Sequence, residues 1–463
     1  LGSYWFISLS IRLFGASELA LRLPSIISSF LCLISSYLIA LKITNKKSAL
    51  ISVFSLSSMP LWIQYSRYAS PDLPFVLCIL LVILFFLNSL DSAENLRQYF
   101  YIFLSGIFIS ASFFIRSYMS FVPLVGLLPF IFYHLYRKKY IFKLFFSIGI
   151  FLGAIPTCLN LYFSFQKFGI TGITTLFDFA RKQAVGGESF SNLLLVPVNF
   201  LYLTFPIGIF FLILFIFTKS RIHIKYPLFI YCYPLLSLIL LLFMSTSYPH
   251  YYIFLLPPLS IIFSTYLTSI KFRYSFSKSS ITFLFLIIIL FISTLLLYFN
   301  ISYKEIIIHY TYGNPLIVYI LSSFLVLSYF VSIRYLFEYN NSFNLTNFFY
   351  NIIIPQYISL SLLYNFGVLG NPNYKSKLFL NDETVSSIIK SNTIYLYSVE
   401  SKTQTLLSYY LPSSIVIKDF DQIRNIKYLI TSNSSSLEKL DVKRFFTSVK
   451  KFDNHFLLLK ISK

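Results

Sequence analysis

Long apolar runs separated by short polar loops constrain this chain more than any other feature. They lie at 23–42, 48–65, 72–90, 98–115, 118–136, 141–163, 192–217, 226–246, 250–269, 280–299, 315–337 and 348–369. A transmembrane helix needs about 20 predominantly apolar residues. The chain has 57% hydrophobic and only 11% charged residues, whereas soluble domains carry roughly 25% charged residues. The sequence therefore predicts an all-α polytopic membrane protein with about twelve transmembrane helices.

The distribution of basic residues predicts how these helices are oriented. One set of alternate loops carries 15 Lys and Arg residues, and the other set, with the N-terminal stretch, carries 8. The positive-inside rule places the richer set in the cytoplasm. Residues 1–24, the 164–191 loop and everything after residue 370 are then expected outside. Topology also explains the net charge of +21, so no nucleic-acid partner is expected.

The composition changes after Gly370. Short β-like runs at 393–399, 415–418, 427–431 and 456–461 alternate with helical stretches around 383–391 and 402–411. The sequence therefore predicts two domains, a transmembrane domain over 1–370 and a small extracytoplasmic α/β domain over 371–463. The second is near the lower end of stable domain size.

A group of polar residues falls at the predicted outer ends of the apolar runs. Its members are Arg22, Arg67, Asp72, Arg116 and His250. Charges at membrane depth are costly and tend to face a cavity or a partner. The planar fork of arginine suits phosphate oxygens. These residues are therefore candidates to line one outward-facing cavity that binds a phosphate.

Simpler explanations of the same residues stay open. Each arginine could be an interfacial anchor that extends to the headgroups. Asp72 could orient an arginine, form a structural pair with Arg67 across the Ser70–Pro71 turn, or cap the helix that begins there. His250 has no second histidine at metal-ligand spacing, and a lone histidine is more often structural than a ligand.

The same segments resemble a known family. Leu13-Phe14-Gly15 followed by Arg22-Leu23-Pro24-Ser25 resembles a stretch in the dolichyl-phosphate-mannose protein mannosyltransferases and their bacterial aminoarabinose-transferase relatives. Tyr65-Ser66-Arg67-Tyr68-Ala69-Ser70-Pro71-Asp72 resembles the family's Tyr-Ser-Arg-x-Ala-Arg-Pro-Asp turn, with Ser70 where arginine is usual.

Two later segments extend the resemblance to roughly residues 1–270. Phe113-Phe114-Ile115-Arg116 stands where the family often has Thr-Lys or Thr-Arg after a helix. Pro249-His250-Tyr251-Tyr252, with Pro257, is similar to its late motif of an aromatic pair followed by Leu-Pro. The later helices and the C-terminal region match the family only in layout.

The resemblance implies the C-type glycosyltransferase fold in a bacterial plasma (inner) membrane. An outward-facing cavity would take a polyprenyl-phosphate-linked sugar and transfer it, with inversion, to a lipid, glycan or protein acceptor outside. The expected phosphate-binding residues are Arg22, Arg67, Arg116, His250, Tyr251 and Tyr252, and Asp72 is expected to be structural or orienting.

The catalytic base is not assigned. The family's catalytic acidic residues lie in the first outer loop, upstream of the stretch that matches residues 1–25. The chain begins with Leu1 rather than Met, so it is expected to be an inactive fragment without the first helix, the first outer loop and the base. No metal ligand is assigned, and a requirement for a divalent metal is left open.

Two other functions compete with this interpretation. A transporter or flippase for a lipid-linked sugar also needs many helices and a charged cavity, but it favours broken helices and internal repeats. A polysaccharide polymerase or ligase would have a different order of motifs. The Arg-Leu-Pro-Ser and Ser-Pro-Asp motifs and the terminal α/β region favour the transferase.

Overall fold

The computed structural model describes residues 2–174, 224–244, 248–269, 349–365, 379–397, 401–411, 413–417, 428–431, 446–452 and 456–461, with isolated residues between these ranges. Three predicted runs, 192–217, 280–299 and 315–337, lie almost entirely outside the described residues. The chain divides into two compact units. The first comprises Leu1–Lys304 and Asn314–Asn365, and the second comprises Glu305–Gly313 and Phe366–Lys463.

Helices follow the other apolar runs of the first unit. They are α1 Gly2–Phe14, α2 Glu18–Ile43, α3 Lys46–Ser58, α4 Pro60–Ser66, α5 Asp72–Asp91, α6 Leu96–Arg116, α7 Phe121–Tyr136, α8 Tyr140–Phe168, α9 Tyr233–Leu242, α10 Leu256–Ser269 and α11 Ile354–Asn365. Turns of 3₁₀ helix precede α7 (Ser117–Ser120) and α10 (Pro249–Leu255), and π-helical turns precede α9 (Leu228–Cys232) and α11 (Phe349–Ile353).

Several of these helices can cross a membrane. Within the described part of the chain, five segments are long and apolar enough to do so: Glu18–Ile43, Asp72–Asp91, Leu96–Tyr136, Tyr140–Phe168 and Pro249–Thr268. The segment Leu96–Tyr136 holds two helices, because Ser117, at φ +52°, breaks it. Glu94 before α6 forms an ion pair with Lys139 after α7, so α6 and α7 run antiparallel.

The structure corrects two details of the sequence prediction. The run 48–65 is not one helix, because the chain is extended at Met59 and α4 begins at Pro60. Proline removes a backbone donor and disfavours helical backbone in the residue before it. The stretch 1–24, expected only as an outer segment, contains the helix α1.

Short polar residues fix where the helices begin. The side chain of Ser17 accepts a hydrogen bond from the Ala20 N–H at the start of α2. The side chain of Asn45 accepts one from Ser48 at the start of α3, and Asn95 caps α6 in the same way. Each of these residues satisfies a backbone N–H that the helix itself leaves unpaired.

An ion cluster closes the end of the first unit that the basic loops predict to be cytoplasmic. Asp91, the last residue of α5, accepts hydrogen bonds from Lys42 Nζ at 2.8 Å, Lys225 Nζ at 2.7 Å and the Tyr226 hydroxyl at 2.9 Å. The cluster joins the end of α2 and the chain before α9 to the end of α5. The bond to Asp91 raises the pKa of Lys225.

Helices α6 and α8 approach each other through glycines. A methyl group on Gly149 would lie 2.2 Å from the carbonyl oxygen of Phe103, and one on Gly106 would lie 2.4 Å from that of Phe146. Backbone atoms cannot move aside as a flexible side chain can. Only glycine, whose side chain is a single hydrogen atom, therefore fits at these two positions.

The change Gly149→Ala is expected to lower the free energy of unfolding by about 1–3 kcal/mol, the usual cost of overpacking a tight interface. Thermal unfolding of the detergent-solubilised protein measures it. Leu152→Ala, on the same helix with its side chain 43% exposed, is the matched control and should change little. Equal losses in the two variants would show that α6 and α8 do not pack this closely.

The second unit is α/β, as predicted. Helices α12 Glu383–Ser391 and α13 Ser401–Tyr410 accompany strands β1 Tyr395–Tyr397, β2 Ile415–Ile417, β3 Tyr428–Thr431, β4 Phe446–Phe452 and β5 Phe456–Ile461. The sheet has the order β2-β1-β3-β5-β4, with β1 parallel to β2 and β3, and β5 antiparallel to β3 and β4. Its core includes Phe379, Val385, Leu396, Leu407 and Ile430.

Strand β4 is the one described strand that the sequence did not predict. Its sequence, Phe-Thr-Ser-Val-Lys-Lys-Phe, is only partly apolar. The strand lies at the edge of the sheet, where lysines are tolerated and discourage pairing with other chains.

Candidate functional site

The centre of the candidate site is a buried ion pair between Arg116 and Asp72. Arg116 is the last residue of α6 and Asp72 is the first residue of α5. Their side chains are 10% and 4% exposed. Asp72 therefore orients an arginine, and its partner is Arg116 rather than Arg67 across the Ser70–Pro71 turn. Because Arg116 is buried and paired, it is not an anchor that extends to the headgroups.

Aromatic rings form one side of this pair. The guanidinium carbon of Arg116 lies 5.7 Å from the ring centre of Phe75 and 5.8 Å from that of Tyr251. Both distances suit a cation–π contact. Tyr251 is 3% exposed, so it holds the guanidinium from a buried position. The other predicted tyrosine, Tyr252, is 1% exposed and belongs to the hydrophobic core.

His250 joins the pair to helix α4. Its Nδ1 lies 3.4 Å from the hydroxyl oxygen of Tyr65, and its ring centre lies 4.5 Å from that of Tyr251. Its ring is also stacked on Tyr248, with an interplanar angle of 6°. Tyr65 was not among the predicted site residues. The sequence feature that could have identified Tyr65 is its position two residues before Arg67, within the same motif.

Arg22 and Arg67 form a second group at the same end of the helices. Arg22 Nη2 lies 2.7 Å from Glu18 Oε2, with both side chains about 40% exposed. Arg67 is half-buried. Desolvation by burial, which is the larger cause, and repulsion from the Arg22 charge both lower the pKa of Arg67. Among the residues that the structure describes, no carboxylate forms an ion pair with Arg67. A bound anion would therefore stabilise this arginine pair.

Helix α4 and the turn after it connect the two groups. The ring centres of Tyr65 and Tyr68 lie 5.4 Å apart, and the Ser25 hydroxyl on α2 donates to the Ser70 carbonyl at 3.2 Å. The structure thus brings Arg116, Asp72, His250 and Tyr251 into contact and places Arg22 near Arg67. A single cavity that holds both groups stays a prediction.

The described residues contain no cluster of three or more His, Cys, Asp or Glu side chains that could hold a metal ion. The ionic part of the site consists of arginines and the carboxylates beside them. Such an arrangement can bind an anion and orient it, since guanidinium groups donate several N–H bonds in one plane.

Part of the chain matches a family of known proteins. Residues 1–163 match the family model of the dolichyl-phosphate-mannose-protein mannosyltransferases. An uncharacterized protein of Aquifex aeolicus (strain VF5) is 39% identical over 80 residues, which is 17% of this chain and 16% of that protein. The chain therefore matches only about a sixth of this curated relative's length.

The fold comparison extends further along the chain. Crystal structures of ArnT from Cupriavidus metallidurans, one bound to undecaprenyl phosphate and one in the apo state, each give a TM-score of 0.73 at 14% identity. Each match covers 99% of this chain and 86% of that one. Residues 1–163, about a third of the chain, are therefore similar to the dolichyl-phosphate-mannose-protein mannosyltransferases, and the chain as a whole has the fold of ArnT.

Proposed function

We propose that this protein is a membrane glycosyltransferase that moves a sugar from a polyprenyl-phosphate donor to an acceptor on the outer face of the plasma membrane. The arginine groups at one end of the helices are the observation that supports this most directly. A protein of the same fold, ArnT, has been crystallised with undecaprenyl phosphate. The second unit is proposed to lie outside as well, as the basic loops predict.

The reaction we propose is an inverting displacement at the anomeric carbon of the sugar. An acceptor oxygen or nitrogen attacks this carbon while its bond to the phosphate oxygen breaks. The bonding electrons remain on the lipid phosphate, and the acceptor proton passes to a base. The leaving phosphate gains negative charge, so fixed positive groups around it lower the barrier.

The two arginine groups have different parts in this proposal. Arg67 and Arg22 contact the phosphate directly. Their two positive charges repel each other, and the phosphate charge offsets this repulsion. Arg116 is neutralised and oriented by Asp72, and it presents its remaining N–H groups to the leaving oxygen. His250 and Tyr251 fix the direction of the Arg116 fork. Like Tyr251, Tyr252 belongs to the hydrophobic core; with 1% exposure, it is proposed to support the site by packing rather than by touching the phosphate.

Neither of the two carboxylates in these groups is proposed as the base. Asp72 pairs with Arg116 and Glu18 pairs with Arg22. A carboxylate stabilised by an arginine is a weaker proton acceptor, because the ion pair favours its charged form. The two are therefore better suited to orienting than to abstracting a proton.

Binding of undecaprenyl phosphate tests the first step. At a hundred times its dissociation constant, a ligand that binds only the folded state stabilises it by about 2.7 kcal/mol. The full-length protein in detergent should therefore unfold at a higher temperature with undecaprenyl phosphate. Undecaprenol, which has the same chain and no phosphate, is the control. Equal stabilisation by both lipids would contradict a phosphate site.

A liposome assay separates a transferase from a transporter. With hexosyl and pentosyl polyprenyl-phosphate donors, a transferase releases polyprenyl phosphate in equal amount to glycosylated acceptor. A flippase moves the intact donor between leaflets and releases none. Translocation without release would replace the present proposal with the transporter.

A further inference from the structure

The helix break between α3 and α4 lies inside the protein. Met59 is extended, at ψ 134°, and α4 begins at the next residue, Pro60. Ser58 and Met59 are 0% and 1% exposed, so the break is buried. Buried backbone carbonyls need hydrogen-bond partners, and the last carbonyls of a helix have none within it. The break therefore depends on donors from elsewhere in the fold.

Helix α11 supplies donors on both sides of the break. The Gln356 side chain donates from Nε2 to the Ser58 carbonyl at 2.8 Å, and the Tyr364 hydroxyl donates to the Pro60 carbonyl at 3.2 Å. Gln356 is 1% exposed, and a buried amide is costly unless it is hydrogen-bonded. The two bonds join residues 298 and 304 positions apart in the chain. They fix both the end of α3 and the start of α4.

Apolar contacts hold α11 in the same place. The ring centre of Phe349, in the π-helical turn before α11, lies 4.6 Å from that of Phe54 on α3. Ile352 and Ile353, from the same turn, are buried in the hydrophobic core. Tyr357, by contrast, is 50% exposed. One face of α11 is therefore packed against the interior, and Tyr357 lies on the other face.

Helix α4 connects the break to the arginine groups. Tyr65, near its end, contacts His250, and the helix ends at Arg67. Tyr364 also lies within electrostatic reach of Arg67: it partly opposes burial and the Arg22 charge, which lower the pKa of the Arg67 guanidinium. Because α4 has only seven residues, a shift at its start moves Tyr65 and Arg67 with it.

We propose that Gln356 and Tyr364 are positioning residues of the phosphate site, which hold the start of α4 and so set where Arg67 meets the lipid phosphate. The role rests on the proposed function, because it needs a phosphate at Arg67. Both residues act through the backbone of the break and not by touching the donor. Neither is among the site residues predicted from the sequence.

The change Tyr364→Phe removes one hydroxyl and keeps the ring. The dissociation constant for undecaprenyl phosphate should rise roughly 2- to 10-fold, the factor that one ordinary hydrogen bond supplies, while the unfolding temperature without lipid changes little. Tyr357→Phe, on the exposed face of the same helix, is the matched control and should bind normally. Added to Arg67→Ala, Tyr364→Phe should cause no further loss, because residues that act through one group are not additive.

Trp62 on α4 reports the position of this helix without any lipid. The chain has two tryptophans, so the change Trp5→Phe leaves the emission of Trp62 alone, and Trp62 is 2% exposed. Gln356→Leu keeps a side chain of similar volume and removes the donor to the break. In the Trp5→Phe background it should make Trp62 easier to quench with acrylamide, because the start of α4 is no longer held.

Three outcomes would overturn the proposal. Normal lipid binding by Gln356→Leu and Tyr364→Phe, with unchanged quenching of Trp62, would show that α11 does not fix α4. An additive loss in the double variant with Arg67→Ala would show that Tyr364 does not act through Arg67. Equal binding of undecaprenyl phosphate and undecaprenol by the unmodified protein would instead refute the phosphate site, and this role with it, whatever Trp62 shows. If Gln356→Leu does not fold, Tyr364→Phe decides the question by its binding and its lack of additivity.

Discussion

Replacing Arg116 by alanine is expected to be the most damaging single change in the first unit. It leaves the Asp72 carboxylate buried without its partner, and removing one partner of a buried ion pair costs about 3–5 kcal/mol. The unfolding temperature in detergent should fall sharply, and use of the donor should fall with it. Arg97→Ala is the matched control, since Arg97 is exposed in the first turn of the same helix.

A double variant separates stability from function at this pair. Two apolar side chains of similar volume, as in Arg116→Met with Asp72→Leu, should restore much of the lost stability, because buried pairs are often replaced in this way without loss. Binding of undecaprenyl phosphate should stay weak, because the fork is absent. A double variant that binds the lipid normally would show that the pair only holds α5 and α6 together.

Changing Arg67 to alanine is expected to weaken binding of undecaprenyl phosphate with little loss of stability. No described carboxylate pairs with Arg67, so no buried charge is left behind. A charge-assisted contact contributes roughly 1.5–3 kcal/mol, which corresponds to roughly a 10- to 150-fold rise in the dissociation constant at about 1.4 kcal/mol per factor of ten. The dissociation constant is measured by titrating the purified protein with undecaprenyl phosphate and recording the unfolding temperature at each lipid concentration.

Two further variants show whether weaker binding by Arg67→Ala reflects a direct phosphate contact. Arg67→Lys should recover only part of the affinity, because lysine keeps the charge and loses the planar fork. Arg12→Ala removes an exposed arginine from the same end of the molecule and should bind almost normally. Full recovery with lysine, or normal binding by Arg67→Ala, would instead identify Arg67 as an interfacial anchor.

The sequence alone predicted the main helices, the α/β character of the second unit and the polar residues at the helix ends. These features depend on local properties: the length of an apolar run, the alternation of short β-like runs with helical stretches, and the position of a charge beside an apolar run. Each of these properties involves residues that are close together in the chain, so it can be recognised in the sequence alone. The outer-end residues could be recognised because a charge next to an apolar run is rare in lipid.

Only the tertiary structure decided which of these residues meet. Asp72 lies five residues from Arg67 in the sequence but pairs with Arg116, because α5 and α6 pack side by side and bring the start of α5 next to the end of α6. Tyr65 and His250 are 185 residues apart and lie 3.4 Å from each other. The burial of Gly2 and Ser10 on α1 was likewise hidden, since it depends on the packing of α1 against α2 and α6. Which side chains contact each other, and which are buried, depends on how the helices pack. No local pattern of this sequence specifies that packing.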